Sequence, residues 1–292
     1  MLRLLRIEIF KIFKRPRTYI AFAVITVIIL LIQIGLKFGG QEYVGMLTSG
    51  LSGAFEVQPG EILNGYFICF LILNLLLIHV PILVALIAGD MISGESNMGT
   101  LRLLMSKPVS RTQFLLVKFL ASIFYTILLL IWVAMLSLLL SMLLFGTNSL
   151  FVPREFEANI ISSSDILWRY FSAFGFAAVA LTTVAAMAFM FSVFSDNSIG
   201  PIVGTVCVII VFTILTQMQI PFYDETVKPY LFTTHMLGWK GFFYVKGQEG
   251  ETIRGSIENL PAVVRSCLVL IGYAAGFLLI SIWYFRKKDI LS

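Results

Sequence analysis

Charged residues are scarce in this sequence of 292 residues: aspartate, glutamate, lysine and arginine make up 13% of it, whereas 59% is hydrophobic. A soluble domain carries about 25% charged residues, so this composition excludes an ordinary soluble enzyme, a disordered chain and a nucleic-acid-binding arm. The few charges are also unevenly distributed. Six stretches contain none, namely 18–36, 62–89, 119–153, 170–195, 197–223 and 266–285. Each meets or approaches the roughly 20 residues that a helix needs to cross a bilayer.

These stretches predict an all-α, polytopic membrane protein that forms one domain over residues 1–292. The six transmembrane helices are expected at about 19–36, 65–88, 114–145, 168–194, 199–219 and 264–285. The segments on the side of the two termini hold 13 of the 21 lysines and arginines. Because cytoplasmic segments are enriched in basic residues, both termini are predicted to lie in the cytoplasm and the spans in the cell membrane.

Residues 2–17 predict an amphipathic helix that lies in the layer of lipid headgroups. Its apolar face is formed by Leu2, Leu5, Ile9, Ile12 and Phe13, and its basic face by Arg6, Lys11 and Lys14. Further apolar residues interrupt the basic face, among them Ile7 and Phe10. The helix is therefore either a plain lipid anchor or an anchor that a protein partner covers.

Residues 89–113 form the cytoplasmic loop between the second and third spans. A short helix is expected at Leu101–Met105, ended by Pro108. Ser110, followed three residues later by Gln113, predicts a capping box at the start of the third span, and Lys118 is expected to reach back to water. The extracytoplasmic segments are 37–63, 146–167 and 220–263. The last is rich in aromatic residues over Leu231–Val245, where short helices are expected at the outer interface.

Several kinds of chemistry have no signature in the chain. No G-x-x-x-x-G-K-[ST] nucleotide loop is present, so ATP hydrolysis by that route is excluded. The two histidines and three cysteines are too scattered to predict a metal site or a disulfide framework. The predicted spans contain few polar side chains, of which Asn74, His79 and Gln217 are possible intramembrane polar sites. Since ion-coupled carriers keep ionisable residues in their spans, this pattern argues against proton- or sodium-driven transport.

The loop at 89–113 carries an ordered motif. Gly94-Glu95 is followed by Gly99-Thr100-Leu101, then by Pro108-Val109-Ser110-Arg111, and later by Lys118. This arrangement resembles the segment between spans two and three of ABC-2-type transporter permeases. The ending at Tyr284–Ile290, the basic N-terminal helix and the six spans are also similar to that family.

The resemblance implies an all-α permease that pairs with a second permease subunit, identical or homologous, and docks on two separate ABC ATPase subunits. ATP and magnesium would then be held by the ATPases, and this chain would be neither an enzyme nor a cofactor carrier. The loop would form a cytoplasmic coupling helix. By this resemblance, the residues at or beside the ATPase contact are Glu95, Gly99, Thr100 and Arg102. Pro108, Ser110 and Arg111 would set the turn into span three. The alternative is that Glu95, Arg111 and Lys118 are only boundary residues that orient the helices.

The function that this resemblance implies is export of a lipophilic or amphipathic substrate. A second hypothesis is an ATPase-coupled scaffold or signalling subunit that moves no cargo. An intramembrane enzyme is a third, but it needs converging catalytic side chains, which His79 alone does not supply.

Overall fold

Six helices of the computed structural model are long and apolar enough to cross a membrane, so the chain is a multi-pass membrane protein. The structure describes residues 1–49, 62–105, 109–153, 158–218, 220–245, 247–248 and 251–288. Span 1 is α2 (Pro16–Ser49) and span 2 is α3 (Gly65–Ala88). Span 3 comprises α6 (Arg111–Ala134), a π-helical turn (Met135–Leu140) and α7 (Ser141–Phe145). Spans 4, 5 and 6 are α8 (Leu167–Phe194), α9 (Ile199–Gln217) and α12 (Leu260–Lys287).

Shorter elements lie before and between the spans. Helix α1 is Leu2–Lys14, and the 89–113 loop contains α4 (Ser93–Asn97) and α5 (Thr100–Met105). Beyond span 5 come α10 (Pro221–Thr226), α11 (Phe232–Met236) and 3-10 turns at Lys228–Tyr230 and Leu237–Phe243. Two antiparallel hairpins, β1 (Leu150–Pro153) with β2 (Ala158–Ile161) and β3 (Gly247–Gln248) with β4 (Glu251–Thr252), correct the all-α expectation to nearly all-α.

The predicted spans are present, with one large difference in length. Span 1 was expected to end near residue 36, but its helix continues to Ser49. The extension is held by packing, because Val44 is buried and Gly40 lies so close to Leu63 that a Cβ atom there would meet its side chain at 2.6 Å. Hydropathy alone does not reveal such a contact. The rest of the predicted 37–63 segment, residues 50–61, lies outside the described residues.

Span 4 is the central helix of the bundle. Its most apolar window is 72% buried, against 17% for span 5 and 11% for span 6. Its buried face is rich in small residues, among them Ala180, Thr183, Ala185 and Ala188. Small side chains let neighbouring helices approach closely in a membrane, which explains why this span packs against spans 2, 3, 5 and 6.

The bundle has two ends with different contents. The terminal end holds α1, the 89–113 loop, the turn 195–198 and the last residues of span 6. The loop end holds the hairpins, α10, α11 and the 3-10 turns. Within span 3, the π-helical turn is stabilised by Gln33 of span 1, whose amide donates to the Leu136 carbonyl and to Ser141 Oγ at 2.9 Å each. π-Helical turns are rare, and this one is contacted by a polar side chain of span 1.

Candidate functional site

The two glycines of the G-E-x-x-x-G-T-L motif, Gly94 and Gly99, are each required by the local packing or backbone conformation. Gly94 lies against Asp90, and a Cβ atom at Gly94 would approach Asp90 Oδ1 to 2.5 Å. Gly99 has a φ of 68°, a left-handed conformation that glycine adopts without a steric penalty. This residue makes the sharp turn between α4 and α5. Thr100 Oγ1 then donates to the Glu95 carbonyl at 3.2 Å, which closes the turn.

The motif glutamate belongs to a charge cluster of four residues, of which three are buried and Lys11 is half-buried: Glu8, Lys11, Glu95 and Lys118. Lys118 Nζ lies 2.8 Å from both Glu8 Oε2 and Glu95 Oε1. Lys11 Nζ lies 2.7 Å from Glu8 Oε1 and 3.0 Å from Glu95 Oε1. Glu95 is 2% exposed and Lys118 is 1% exposed. The expectation that Lys118 reaches back to water is therefore wrong, because two carboxylates hold its ammonium group inside the protein.

The cluster is electrically balanced, and the charges of its outer members are stabilised. Burial of Glu8 disfavours its ionised form, but the ammonium groups of Lys118 and Lys11 outweigh this and hold the pKa of Glu8 below its usual value. Burial likewise opposes the charge of Lys11, yet Glu8 and Glu95 raise the pKa of Lys11 above its usual value. One acceptor of the cluster, Glu95 Oε2, is buried and has no hydrogen-bond donor among the described residues.

Further contacts connect the 89–113 loop to the body of the protein. Asp90 pairs with Arg15 at 2.5 Å and with Arg17 at 3.2 Å. The backbone amides of Ile92 and Ser93 donate to Ser192 Oγ of span 4, each at 3.0 Å. The base of the loop is thus fixed to α1, to spans 1 and 3 and to the central span 4.

The opposite side of the loop faces outward. Its exposed tip comprises Asn97, Met98, Gly99, Arg102 and Leu103. Met98 is 59% exposed and Leu103 is 71% exposed, although both are apolar. An open groove of about 490 Å³ runs beside the tip. Its lining includes three basic residues of the N-terminal segment, Lys11, Lys14 and Arg15. The 89–113 loop contributes Glu95, Met98 and Leu103, among others. Exposed apolar side chains rimmed by polar ones are typical of interaction surfaces.

Ser110 and Arg111 organise the entry into span 3. Ser110 Oγ accepts a hydrogen bond from the Gln113 amide at 3.2 Å, as the predicted N-cap requires. Arg111 donates to the carbonyls of Arg286 and Lys288 at the end of span 6, at 3.1 and 2.8 Å. An arginine is well placed there, since the last carbonyls of a helix have no partners of their own. Pro108 lies outside the described residues.

Apart from Lys11, the other predicted residues lie away from the charge cluster. In α1, Arg6 and Lys14 are exposed, whereas Lys11 is drawn into ion pairs and does not lie on the open basic face. Of the predicted apolar face, Leu2 is exposed and Ile12 is buried, and Glu8 is buried beside Ile12. In the spans, Asn74 and His79 hydrogen-bond to carbonyls of their own helix, Phe70 and Leu75. Gln217 borders two clefts at the loop end of span 5.

Sequence reasoning missed a second buried ion pair, at the loop end, which we call the loop-end clamp: Asp165 and Arg169. Arg169 is fully buried and donates to Asp165 Oδ2 through Nε at 3.1 Å and through a terminal nitrogen at 2.6 Å. It also donates to the carbonyls of Phe242 and Ser256, at 2.6 and 2.9 Å. An aspartate four residues before an arginine at the start of a span was the available signal.

Among the described residues, no three His, Cys, Asp or Glu side chains converge as a set of metal ligands.

Comparison with known proteins shows the family to which the chain belongs. The family described as "Protein of unknown function (DUF2705)" matches residues 51–291. The chain belongs to the DUF2705 family.

The match to DUF2705 includes Glu95, Lys118 and the loop-end clamp, whereas Glu8 and Lys11 precede it. The chain is also 28% identical over 213 residues to the uncharacterized protein YhcI of Bacillus subtilis. That alignment covers 70% of this chain and 63% of the relative, so the matched region spans less than two thirds of the relative's length.

Proposed function

We propose that this chain is the membrane subunit of an ATP-driven exporter of the ABC-2 type. In this proposal it pairs with a second permease subunit, identical or homologous, and two separate ABC ATPase subunits bind at the terminal end. The terminal end then faces the cytoplasm, as the excess of lysine and arginine there favours, and the membrane is the cell membrane. The motif at 94–118 and the six spans support the assignment.

The observation that carries the proposal is the contrast between the fixed base and the exposed tip of the 89–113 loop. Glu95 at the base is buried in the charge cluster, whereas Met98 and Leu103 at the tip stand in solvent. A surface that exposes apolar side chains on a rigid support is suited to docking a partner with little loss of conformational entropy. Gly99, Thr100 and Arg102 shape or belong to this tip, while Glu95 anchors it.

The anchors also offer a route by which movement of a docked ATPase reaches the spans. Glu95 contacts Lys118 in span 3, and Ser93 is bound to Ser192 in span 4. Ser96 Oγ donates to Asp196 at 2.9 Å, and Asp196 pairs with Lys288 at 2.7 Å. A force on the tip would therefore act on spans 3, 4 and 6 together. In this scheme Glu95 and Arg111 act as positioning residues, and the tip makes the contact.

The test is co-purification of this chain with the ABC ATPase subunits encoded in the same genome. Replacing the two apolar tip residues, in the double variant Met98→Asp/Leu103→Asp, places two charges in the proposed contact and is expected to abolish the complex. The matched control is Tyr230→Asp, because Tyr230 is exposed to a similar extent at the loop end. Loss of the ATPase from the tip variant alone supports the proposal. Full retention by a correctly folded tip variant would overturn it.

A scaffold that moves no cargo is the second candidate. Its support is the apolar lining of the cleft between spans 2, 3 and 4, which consists of aliphatic and aromatic side chains and a methionine and offers no polar side chain to a hydrophilic cargo. The two functions differ in one measurement. Cargo raises the ATPase rate of a transporter, whereas the rate of a scaffold complex stays the same over a panel of amphipathic compounds.

A further inference from the structure

The predicted apolar face of α1 is largely occupied by the protein itself. Ile12 is buried in the main hydrophobic core, and Leu5 and Ile9 pack against that core. Glu8 lies on the same inner side, where it pairs with Lys118 of span 3. This side of the helix is therefore closed to lipid, and contact of α1 with the membrane must be made by its opposite side.

The opposite side of α1, which we call the outer face, mixes basic and apolar side chains. Its members recur at helical spacing and are all exposed: Arg3, Arg6, Ile7, Phe10 and Lys14. Phe10 is 64% exposed and Ile7 is 51% exposed. Lys14 Nζ lies 5.8 Å from the centre of the Phe10 ring, so a cation borders the exposed aromatic side chain.

The outer face carries positive charge that the described part of the chain does not neutralise. Arg3, Arg6 and Lys14 form no ion pair with a carboxylate among the described residues. The one acidic residue of α1, Glu8, is buried on the inner side and pairs with lysines there. The outer face thus has three cations and no anion, and an anionic surface is its electrostatic complement.

The contacts of α1 hold the outer face at the level of the lipid headgroups. Glu8 meets Lys118, which lies seven residues beyond Arg111 and so about 10 Å into the helix of span 3. Span 3 has 35 residues, a length of about 52 Å against a hydrocarbon core of about 30 Å. Its first turns therefore lie in the headgroup layer, and α1 lies beside them. Only Arg15, with an extended backbone, separates α1 from span 1.

We propose that the outer face of α1 binds anionic phospholipids of the leaflet at the terminal end. Arg3, Arg6 and Lys14 pair with the lipid phosphates, and the exposed Phe10 and Ile7 enter the boundary between headgroups and acyl chains. Exposed apolar side chains among cations are typical of helices that lie in a membrane surface. A zwitterionic lipid offers no net negative charge to these cations and binds less strongly. The binding requires no ATPase and is independent of the proposed function.

The bound lipid bears on the charge cluster, because α1 contributes two of its four members. Glu8 pairs with Lys118 of span 3, and Lys11 pairs with Glu95 of the 89–113 loop. A helix that is held on the membrane by its outer face separates less often from the protein on its inner face. Anionic lipid therefore steadies the contacts that fix the base of the loop.

The test measures hydrogen–deuterium exchange of the α1 amides by mass spectrometry on the full-length protein. The protein is placed in nanodiscs of phosphatidylcholine alone or of an equal mixture of phosphatidylcholine and phosphatidylglycerol. Exchange reports local opening of the helix, so the anionic lipid should slow it several-fold. Arg6→Glu/Lys14→Glu should abolish the difference between the two nanodiscs, because the outer face then repels the anionic lipid. Arg6→Lys keeps the charge and should retain the difference.

The matched control is Arg254→Glu/Arg265→Glu, which makes the same change of charge at exposed positions of the loop end and should respond as the wild type does. Soluble glycerol 3-phosphate, added to the phosphatidylcholine nanodiscs, should not slow exchange, because it gives Phe10 no lipid to enter. Equal exchange in both nanodiscs, or the same slowing in the charge-reversal variant or with the soluble phosphate, would overturn the proposal. Protection that appears only when an ATPase is added would identify a protein as the occupant and would also overturn it.

Discussion

The charge cluster at the terminal end and the loop-end clamp are both buried and ionic, but they are built differently. The clamp joins two residues four positions apart, and its arginine uses its donors on Asp165 and two backbone carbonyls. The charge cluster joins α1, α4 and span 3, whose members lie up to 110 residues apart. It also leaves Glu95 Oε2 without a donor among the described residues.

This difference indicates different roles for the two ends. A fully hydrogen-bonded local pair holds one arrangement, because every alternative leaves a buried charge unpaired. The charge cluster is shared between three elements, adjoins a groove, and has one acceptor that lacks a donor among the described residues. It therefore permits those elements to be repositioned together. We therefore expect the loop end to be a static support and the terminal end to be the part that responds to a partner.

The largest effect is expected from breaking the clamp. Arg169→Met leaves Asp165 buried without its cation and frees two carbonyls, and should lower the free energy of unfolding by about 4 kcal/mol. Thermal unfolding in detergent measures this change. Arg254→Met serves as the control, because Arg254 is exposed at the same end and should cost little. Equal stabilities of the two variants would contradict the static role of the clamp.

The charge cluster is tested by the variant Lys118→Met, which leaves Glu8 and Glu95 with Lys11 as their only ammonium partner. We expect a loss of about 3 kcal/mol. Adding Glu8→Leu restores a balanced pair between Lys11 and Glu95, so the double variant should be more stable than Lys118→Met alone. Additive losses in this double-mutant cycle would show that the four residues do not act as one cluster.

The response to pH tests the ion pairs of the charge cluster. Since the pKa of Glu8 is lowered by folding, its stabilising contribution is complete above the unfolded pKa of about 4.3 and is lost as pH falls through the folded pKa. Lys11 has a raised pKa, so its contribution is complete below about pH 10 and is lost as pH rises through the folded value. The stability difference between wild type and Glu8→Gln should thus be constant near neutral pH and shrink in acid. A difference that grows in acid would contradict this sign.

The smallest effect concerns the cap of span 3. Ser110→Ala removes the acceptor of the Gln113 amide and should cost about 1 kcal/mol. Ser110→Asp keeps an acceptor at the cap and should retain wild-type stability. The loss in Ser110→Ala should be smaller than that in Lys118→Met, because the cap stabilises one helix whereas the charge cluster joins three elements.

Much of the fold follows from local pattern. The spans and the short helix at Leu101–Met105 were predictable because hydropathy and capping depend on neighbouring residues, and the helix is present as Thr100–Met105. The extension of span 1 to Ser49 was not predictable, since it depends on the contact of Gly40 with Leu63. The hairpins were also missed, because strands of two to four residues give little periodic signal.

The site was predictable only in part. The motif located Glu95, Gly99 and Thr100 in one loop, and Ser110 was correctly expected to cap span 3. The pairing of Glu8 with Lys118 was not visible, because residues so far apart are brought together only by tertiary packing. The helical wheel of α1 also misplaced Lys11, since its ion pairs with Glu8 and Glu95 draw it toward the protein.

The most direct measurement is the ATP hydrolysis rate of the proposed partner ATPase, reconstituted with this chain in nanodiscs. The account predicts that the wild-type chain changes the rate several-fold, that Met98→Asp/Leu103→Asp abolishes the change, and that Tyr230→Asp preserves it. A rate that is the same with the wild-type chain, with the tip variant and with no chain at all would contradict the claim that the exposed tip couples this protein to an external motor.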